Sequence, residues 1–95
     1  MKKRQPKKRK LIFDQAGLTA FAGHLKNLRA KQQITQEQLA YKSGLTLSTI
    51  ARIETVKINP TLSTIFVLAR GLDIDLKAVL SDKTKKNLFN GNLSQ

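Results

Sequence analysis

The chain has 95 residues, and its 18 Lys plus Arg stand against 6 Asp plus Glu, a formal charge of +12. A length of this order supports one small core with tails and excludes a large multidomain enzyme. With 40% hydrophobic residues but only four Phe, one Tyr and no Trp, the core is mainly aliphatic; the absence of Cys removes disulfides, thiolate zinc sites and cysteine nucleophiles.

The positive charge is concentrated at the start. Lys2, Lys3, Arg4, Lys7, Lys8, Arg9 and Lys10 give seven cations and no anion, leaving a balance of +5 for the remainder. Residues 1–17 therefore read as a basic arm, self-repelling and disordered in the free protein. Two readings of it stand: a solubilising tail, or an arm that lies along phosphates or enters a minor groove, which the total charge favours. The string Pro6-Lys7-Lys8-Arg9-Lys10 also resembles a nuclear localisation signal, a pattern that arises often by chance. Leu11-Ile12-Phe13 is too short for the apolar region of a signal peptide, and no apolar run approaches the roughly 18 residues of a membrane span. The expectation is a cytoplasmic, nucleoid-associated protein, because strongly basic chains there most often meet nucleic acid.

Residues 18–80 read as five short helices, since apolar residues recur at steps of three and four with punctuation between them. Leu18, Phe21, Leu25 and Leu28 form the first buried stripe. Thr35 and Gln38 then make a capping box, with Ile34 and Leu39 as the accompanying hydrophobic staple. The second helix runs to Ser43, and Gly44 closes it in a left-handed conformation. Leu45, a Thr46 cap and Ile50 repeat the pattern at once and start the third helix, which points Ile50 and Ile53 inward. Thr61 after Pro60 starts the fourth helix, with Leu62, Ile65, Phe66 and Ala69 as its stripe. Ile74 and Val79 form a last staple around an Asp75 cap. Residues 81–95 hold three Lys and scattered Leu88, Phe89 and Leu93 without helical period, and read as a tail.

A helix, a turn of about three residues containing Gly, and a second helix with small polar residues at its exposed start define a helix-turn-helix. Here the chain resembles the phage repressor and Cro type of DNA-binding domain, the XRE family. The resemblance rests on an ordered set: Leu25-Lys26-Asn27-Leu28-Arg29, Thr35-Gln36-Glu37-Gln38-Leu39-Ala40, Ser43-Gly44, Ser48-Thr49-Ile50-Ala51-Arg52-Ile53-Glu54, Pro60-Thr61-Leu62 and Leu72-Asp73-Ile74-Asp75-Leu76. It implies an all-α fold, a compact five-helix repressor-like domain. Two positions depart from the family pattern. Thr55-Val56 precede Lys57 where an Asn-Gly or similar pair is usual, and β-branched Val56 disfavours a left-handed exit, so this loop is expected to take another path. Asp73 replaces a common Gly, which the backbone tolerates.

The resemblance implies that the third helix enters the major groove of double-stranded DNA, with Thr46, Leu47, Ser48, Thr49 and Arg52 facing bases. Ser48 and Arg52 are four apart and share one face. Arg52 can bond O6 and N7 of one guanine together. Leu47 can touch a thymine methyl or, equally, pack against the second helix. The family uses a Gln at the position of Gln36 to bind phosphate and brace the recognition helix, and Lys57 and Asn59 are further candidates for backbone contacts. Arg29 and Glu54 match positions that pair in the family, a structural role.

His24 is the only histidine and reads as a surface or boundary residue. No metal cluster, cofactor motif or paired nucleophile is visible, so neither a cofactor nor catalysis is expected. The leading reading is a sequence-specific regulator, a repressor, acting as a homodimer on a palindromic operator with Leu76, Val79 and Leu80 at its interface. The alternative is an antitoxin that binds a partner toxin and represses the shared operon through the same motif. An RNA-binding protein is disfavoured by the scarcity of aromatics for stacking on bases.

Overall fold

The computed structural model describes residues 12–81. Among them are five α-helices and no strand: α1 (Gln15–Lys31), α2 (Gln36–Ser43), α3 (Leu47–Glu54), α4 (Leu62–Leu72) and α5 (Leu76–Leu80). The readings given above for residues 2 to 10 and 82 to 95 lie outside the described residues.

Every helix begins with a short oxygen-bearing side chain that accepts from the amide three residues on. Asp14 accepts from Gly17 at 3.1 Å, Thr35 from Gln38 at 3.0 Å, Thr46 from Thr49 at 3.1 Å, Thr61 from Thr64 at 3.2 Å and Asp75 from Ala78 at 2.8 Å. Each bond satisfies an amide that the helix itself leaves without a partner. The capping box at Thr35 is complete, because Gln38 Oε1 also accepts the Thr35 amide at 2.8 Å. The Asp14 cap lies ahead of the apolar stripe at Leu18, so α1 starts one turn earlier than that stripe suggests.

Four of the five helix ends are as regular as the starts. Gln33, Gly44, Val56 and Asp73 all adopt positive φ, at 57°, 78°, 59° and 57°. At each, two bonds close the last turn of the preceding helix; after α2 they run from Gly44 N–H to the Tyr41 carbonyl and from Leu45 N–H to that of Ala40. Three of the four joints then place an aliphatic residue and a cap in succession: Ile34-Thr35, Leu45-Thr46 and Ile74-Asp75. All three aliphatic side chains pack against the core.

The joint after α3 overturns the expectation for Val56. Val56 is left-handed despite its β-branch, and its N–H bonds the Ile53 carbonyl at 3.2 Å while Lys57 N–H bonds that of Arg52 at 2.8 Å. The closure of α3 thus prevails over a local preference that costs about 1–2 kcal/mol. Val56→Gly is expected to relieve that strain, offset in part by about 0.5–1 kcal/mol of added chain entropy. A thermal midpoint raised by a few degrees is the expected result; a lowered one would mean that packing of the half-buried Val56 side chain outweighs the strain.

The core comprises Phe21 and Leu25 of α1, Leu39 and Ala40 of α2, Ile50 and Ile53 of α3, Ile65, Leu68, Ala69 and Leu72 of α4, and Val79 of α5. The α4 face differs from the expected one. Leu62 is 62% and Phe66 42% exposed, while Leu68 and Leu72 are fully buried. At about 100° per residue, Phe66 lies well round the helix from the centre of the face defined by Ile65, Leu68, Ala69 and Leu72.

Val79 has no exposed surface, so it belongs to this core and not to a subunit interface as expected. Of that expected trio, Leu76 and Leu80 are half-buried and pack against the core. Among the described residues, no helix is long and apolar enough to cross a membrane.

Helices α2 and α4 meet closely at Gly71. A Cβ there would lie 3.0 Å from Ser43 Cβ, 3.1 Å from its backbone N and 3.2 Å from its Cα. Because backbone atoms must give way, Gly71→Ala is expected to cost about 1–3 kcal/mol. A urea unfolding midpoint equal to that of the native chain would refute this close approach.

Candidate nucleic-acid interface

Helix α3 divides into two faces. Ile50, Ile53 and Glu54 are buried, Leu47 is 43% exposed, and Ser48 and Arg52 are also exposed. Since residues four apart stack on one face, Ser48 and Arg52 project together, with Leu47 beside them at the start of the helix. No side-chain hydrogen bond among the described residues holds Ser48, Arg52 or Lys57. Thr46 and Thr49 are committed locally: Thr46 Oγ1 accepts the Thr49 amide, and the two hydroxyls are 2.9 Å apart. Thr49 is half-buried. Both serve to set the start of the helix.

The far end of α3 is held from below. Glu54 is 3% exposed and receives three hydrogen bonds. Arg29 on α1 donates through Nε to Oε2 at 2.8 Å and through a terminal nitrogen to Oε1 at 3.0 Å, a two-pronged pair. Gln36, the first residue of α2, donates to the same Oε1 at 2.9 Å. The other terminal nitrogen of Arg29 donates to the Ile34 carbonyl at 3.0 Å, in the joint between α1 and α2. One guanidinium and one carboxylate therefore fasten α1, the α1–α2 joint, α2 and α3 together. The Arg29–Glu54 pair implied by the family resemblance is present, and Gln36 braces α3 through that pair.

The Arg29 guanidinium is pushed above its ordinary value by the Glu54 hydrogen bond, against the opposing effect of burial and with the carboxylate's charge adding to the rise. A raised value for a cation means that its stabilisation is fully present below the unfolded-state value. It is lost only as pH rises through the still higher folded value, so the contribution of Arg29 does not vary with pH across the physiological range.

Lys57 and Asn59 occupy the connection between α3 and α4, and both are exposed. Asn59 is not idle: its Nδ2 donates to the Ile12 carbonyl at 3.1 Å. Two other long-range links have no local signal in the sequence. His24 Nε2 donates to the Ala78 carbonyl at 2.7 Å, pinning α5 to α1, while its Nδ1 is buried without a partner among the described residues. Gln32 Nε2 donates to the Leu72 carbonyl at 2.7 Å and satisfies the end of α4.

A short helix clamped at its far end and presenting an outward face beyond a three-residue turn is a helix-turn-helix. The profile of the HTH_3 helix-turn-helix family matches residues 25–79, and the chain belongs to this XRE-type family of DNA-binding transcription regulators.

The chain is similar to the immunity repressor protein of Bacillus phage phi105, with 38% identity over 60 residues, 63% of this chain and 42% of the repressor. The match thus spans less than half of the phage protein. It is also similar to the control protein C.SmaI of Serratia marcescens, with 35% identity over 66 residues, 70% of this chain and 79% of that protein. Among solved structures, the restriction-modification controller protein C.AhdI from Aeromonas hydrophila superposes with a TM-score of 0.65 at 36% identity, covering 67% of this chain and 97% of that one. The wild-type controller C.Esp1396I superposes at 0.66 with 29% identity, covering 70% and 86%.

Proposed function

We propose that the protein is a sequence-specific regulator of transcription, a repressor, that places α3 in the major groove of its operator. The observation that carries this reading is the division of α3 into a clamped, buried face and an outward face bearing Leu47, Ser48 and Arg52 without partners. Arg52 supplies two donors for a guanine edge, Ser48 a hydroxyl that serves either partner of a base pair, and Leu47 an apolar contact for a thymine methyl. Thr46 and Thr49 line the start of the helix at the groove edge. An open depression lined by Arg29, Gln33, Thr35, Gln36, Glu37 and Leu47 lies at the start of α2, where the helix-start amides meet a phosphate strand away from Glu37, and Lys57 meets the backbone at the other end of α3.

One helix of this size reads few bases, so the protein acts as a homodimer on half-sites roughly 10 to 10.5 base pairs apart or a multiple of that spacing. With Val79 in the core, the exposed Leu62 and Phe66 on α4 replace it in the proposed interface, together with the half-buried Leu76 and Leu80. Phe66→Ser is expected to shift the protein towards monomer in sedimentation without unfolding it. An unchanged dimer would move the interface elsewhere.

The three controller proteins favour a more specific version of the reading, because the matches cover most of their length. In that version the chain acts, like them, as a controller protein that regulates transcription. Selection of bound duplexes from a random pool tests the whole proposal. Enrichment of a two-fold symmetric sequence supports it. A chain that enriches nothing beyond what a Leu47→Ala, Ser48→Ala, Arg52→Ala triple variant enriches would overturn it.

A further inference from the structure

Asn59 joins two parts of the chain that are 47 positions apart, through its 3.1 Å bond to the Ile12 carbonyl. Ile12, Asp14 and Leu18 on one side, and Asn59 and Pro60 on the other, line one apolar depression. The segment leading into α1 is therefore laid against the connection between α3 and α4. Because the Ile12 side chain is 82% exposed, its burial does not hold the segment there. The link runs from a side-chain amide to a main-chain carbonyl, so it fixes the course of the backbone itself.

What lies just upstream is the most charged stretch of the protein. Lys10 precedes Ile12 by two residues, within about 7 Å of chain, and the stretch back to Lys2 can reach at most about 30 Å further. It carries seven cations and no anion. The anchor point lies two residues after Lys57, whose amide bonds the Arg52 carbonyl at 2.8 Å where α3 ends.

We propose that Asn59 is a positioning residue for DNA binding, one that clasps the root of the basic arm to the exit of α3. The arm's cations are thereby delivered to the sugar–phosphate backbone of the duplex beside the bases that α3 faces. This inference rests on the DNA-binding reading above and changes the role of Asn59 from a direct phosphate contact to an indirect one. A tether fixed beside the bound duplex keeps the local concentration of its charges high, whereas a longer free leash dilutes them. Each arm cation that displaces a condensed counterion adds about 0.9 to the slope of log affinity against log salt. Loosening the root therefore lowers affinity and slope together, although no group touching phosphate has been removed.

The test uses four full-length proteins on the selected duplex over a series of salt concentrations. They are the native chain, Asn59→Ala, a chain with its arm neutralised (K2Q, K3Q, R4Q, K7Q, K8Q, R9Q and K10Q), and the combination. With the native arm, Asn59→Ala is expected to weaken binding about 3- to 10-fold, the effect of one net hydrogen bond. The salt slope should fall by about 1 to 2. With the neutralised arm, the same substitution should change neither quantity, since the two act as one unit. Equal losses in both backgrounds would make Asn59 a direct contact and overturn the clasp, as would no loss in either. A lowered melting midpoint with an unchanged salt slope would reduce Asn59 to a structural role and overturn it too. If the native chain selects no duplex, the DNA-binding reading itself fails and takes the clasp with it.

Discussion

Arg29→Ala is expected to be the most damaging single substitution at the clamp, costing about 3–5 kcal/mol. It removes two of the three donors that Glu54 receives and leaves a carboxylate whose side chain is only 2% exposed with Gln36 alone. For a small domain with a total stability near the lower end of about 5–15 kcal/mol, that loss populates unfolded chain under ordinary conditions. The converse change is milder. Glu54→Gln keeps one acceptor for Arg29, whose side chain is 20% exposed and can turn to water, so a loss of about 1–3 kcal/mol is expected. Replacing both with aliphatic residues should recover part of the loss, because no charge is then left buried. Urea unfolding followed by circular dichroism measures all three. Equal and small effects of the two single substitutions would show that the pair is not acting as a buried clamp.

The second large effect falls on recognition. Arg52→Ala is expected to weaken binding to the selected duplex by about 1–3 kcal/mol and to relax preference at one base pair. Stability should hold within about 0.5 kcal/mol, since Arg52 is exposed and contributes nothing to the core. The decisive measurement is a repeat of the random-pool selection with the variant. An unchanged selected sequence would remove Arg52 from base reading even if affinity fell, because a loss spread evenly over all sequences marks a phosphate contact.

Much of the frame is legible from local pattern. Caps and staples act over three to five residues, so Thr35 with Gln38, or Leu45 with Ile50, announce themselves in the order of residues alone. The boundary at Asp14 escapes because the first turn of α1, Gln15-Ala16-Gly17, carries no apolar stripe to mark it. The face of α4 escapes for the opposite reason: Leu62, Ile65, Phe66, Val67 and Leu68 are all apolar, and such a run fits more than one buried side. Val56 departs from its expected conformation because intrinsic backbone preference is a local quantity, while the bonds that close α3 involve Arg52 and Ile53 as well.

The links that tie the elements together are of a different kind. His24 to Ala78, Gln32 to Leu72 and Asn59 to Ile12 span 54, 40 and 47 positions, and no spacing rule reaches so far. Arg29 with Glu54, 25 positions apart, was accessible only through family resemblance. For the candidate interface, the outward placement of Ser48 and Arg52 follows from helical period once Ile50 and Ile53 are turned inward. The local engagement of Thr46 with Thr49 becomes evident only in the folded chain.

The joints at residues 33 to 35, 44 to 46 and 73 to 75 each place a left-handed residue, an aliphatic anchor and a cap in three consecutive positions. In each, the anchor follows the closure of one helix and precedes the cap of the next, leaving no residue that could be duplicated or lost without unseating one of them. One extra residue would also turn the following helix by about 100° and carry its buried face out of register. Such joints fix length as strictly as they fix angle. The connection at residues 55 to 61 is longer: Ile58 packs against the core and Asn59 holds the Ile12 carbonyl, but these two positions do not adjoin both a helix closure and a cap as the three anchors do, and lengthening a loop costs little closure entropy. Variation in length compatible with this fold is thus channelled to the connection after α3 and to the chain ends, while the three short joints admit substitution but not insertion.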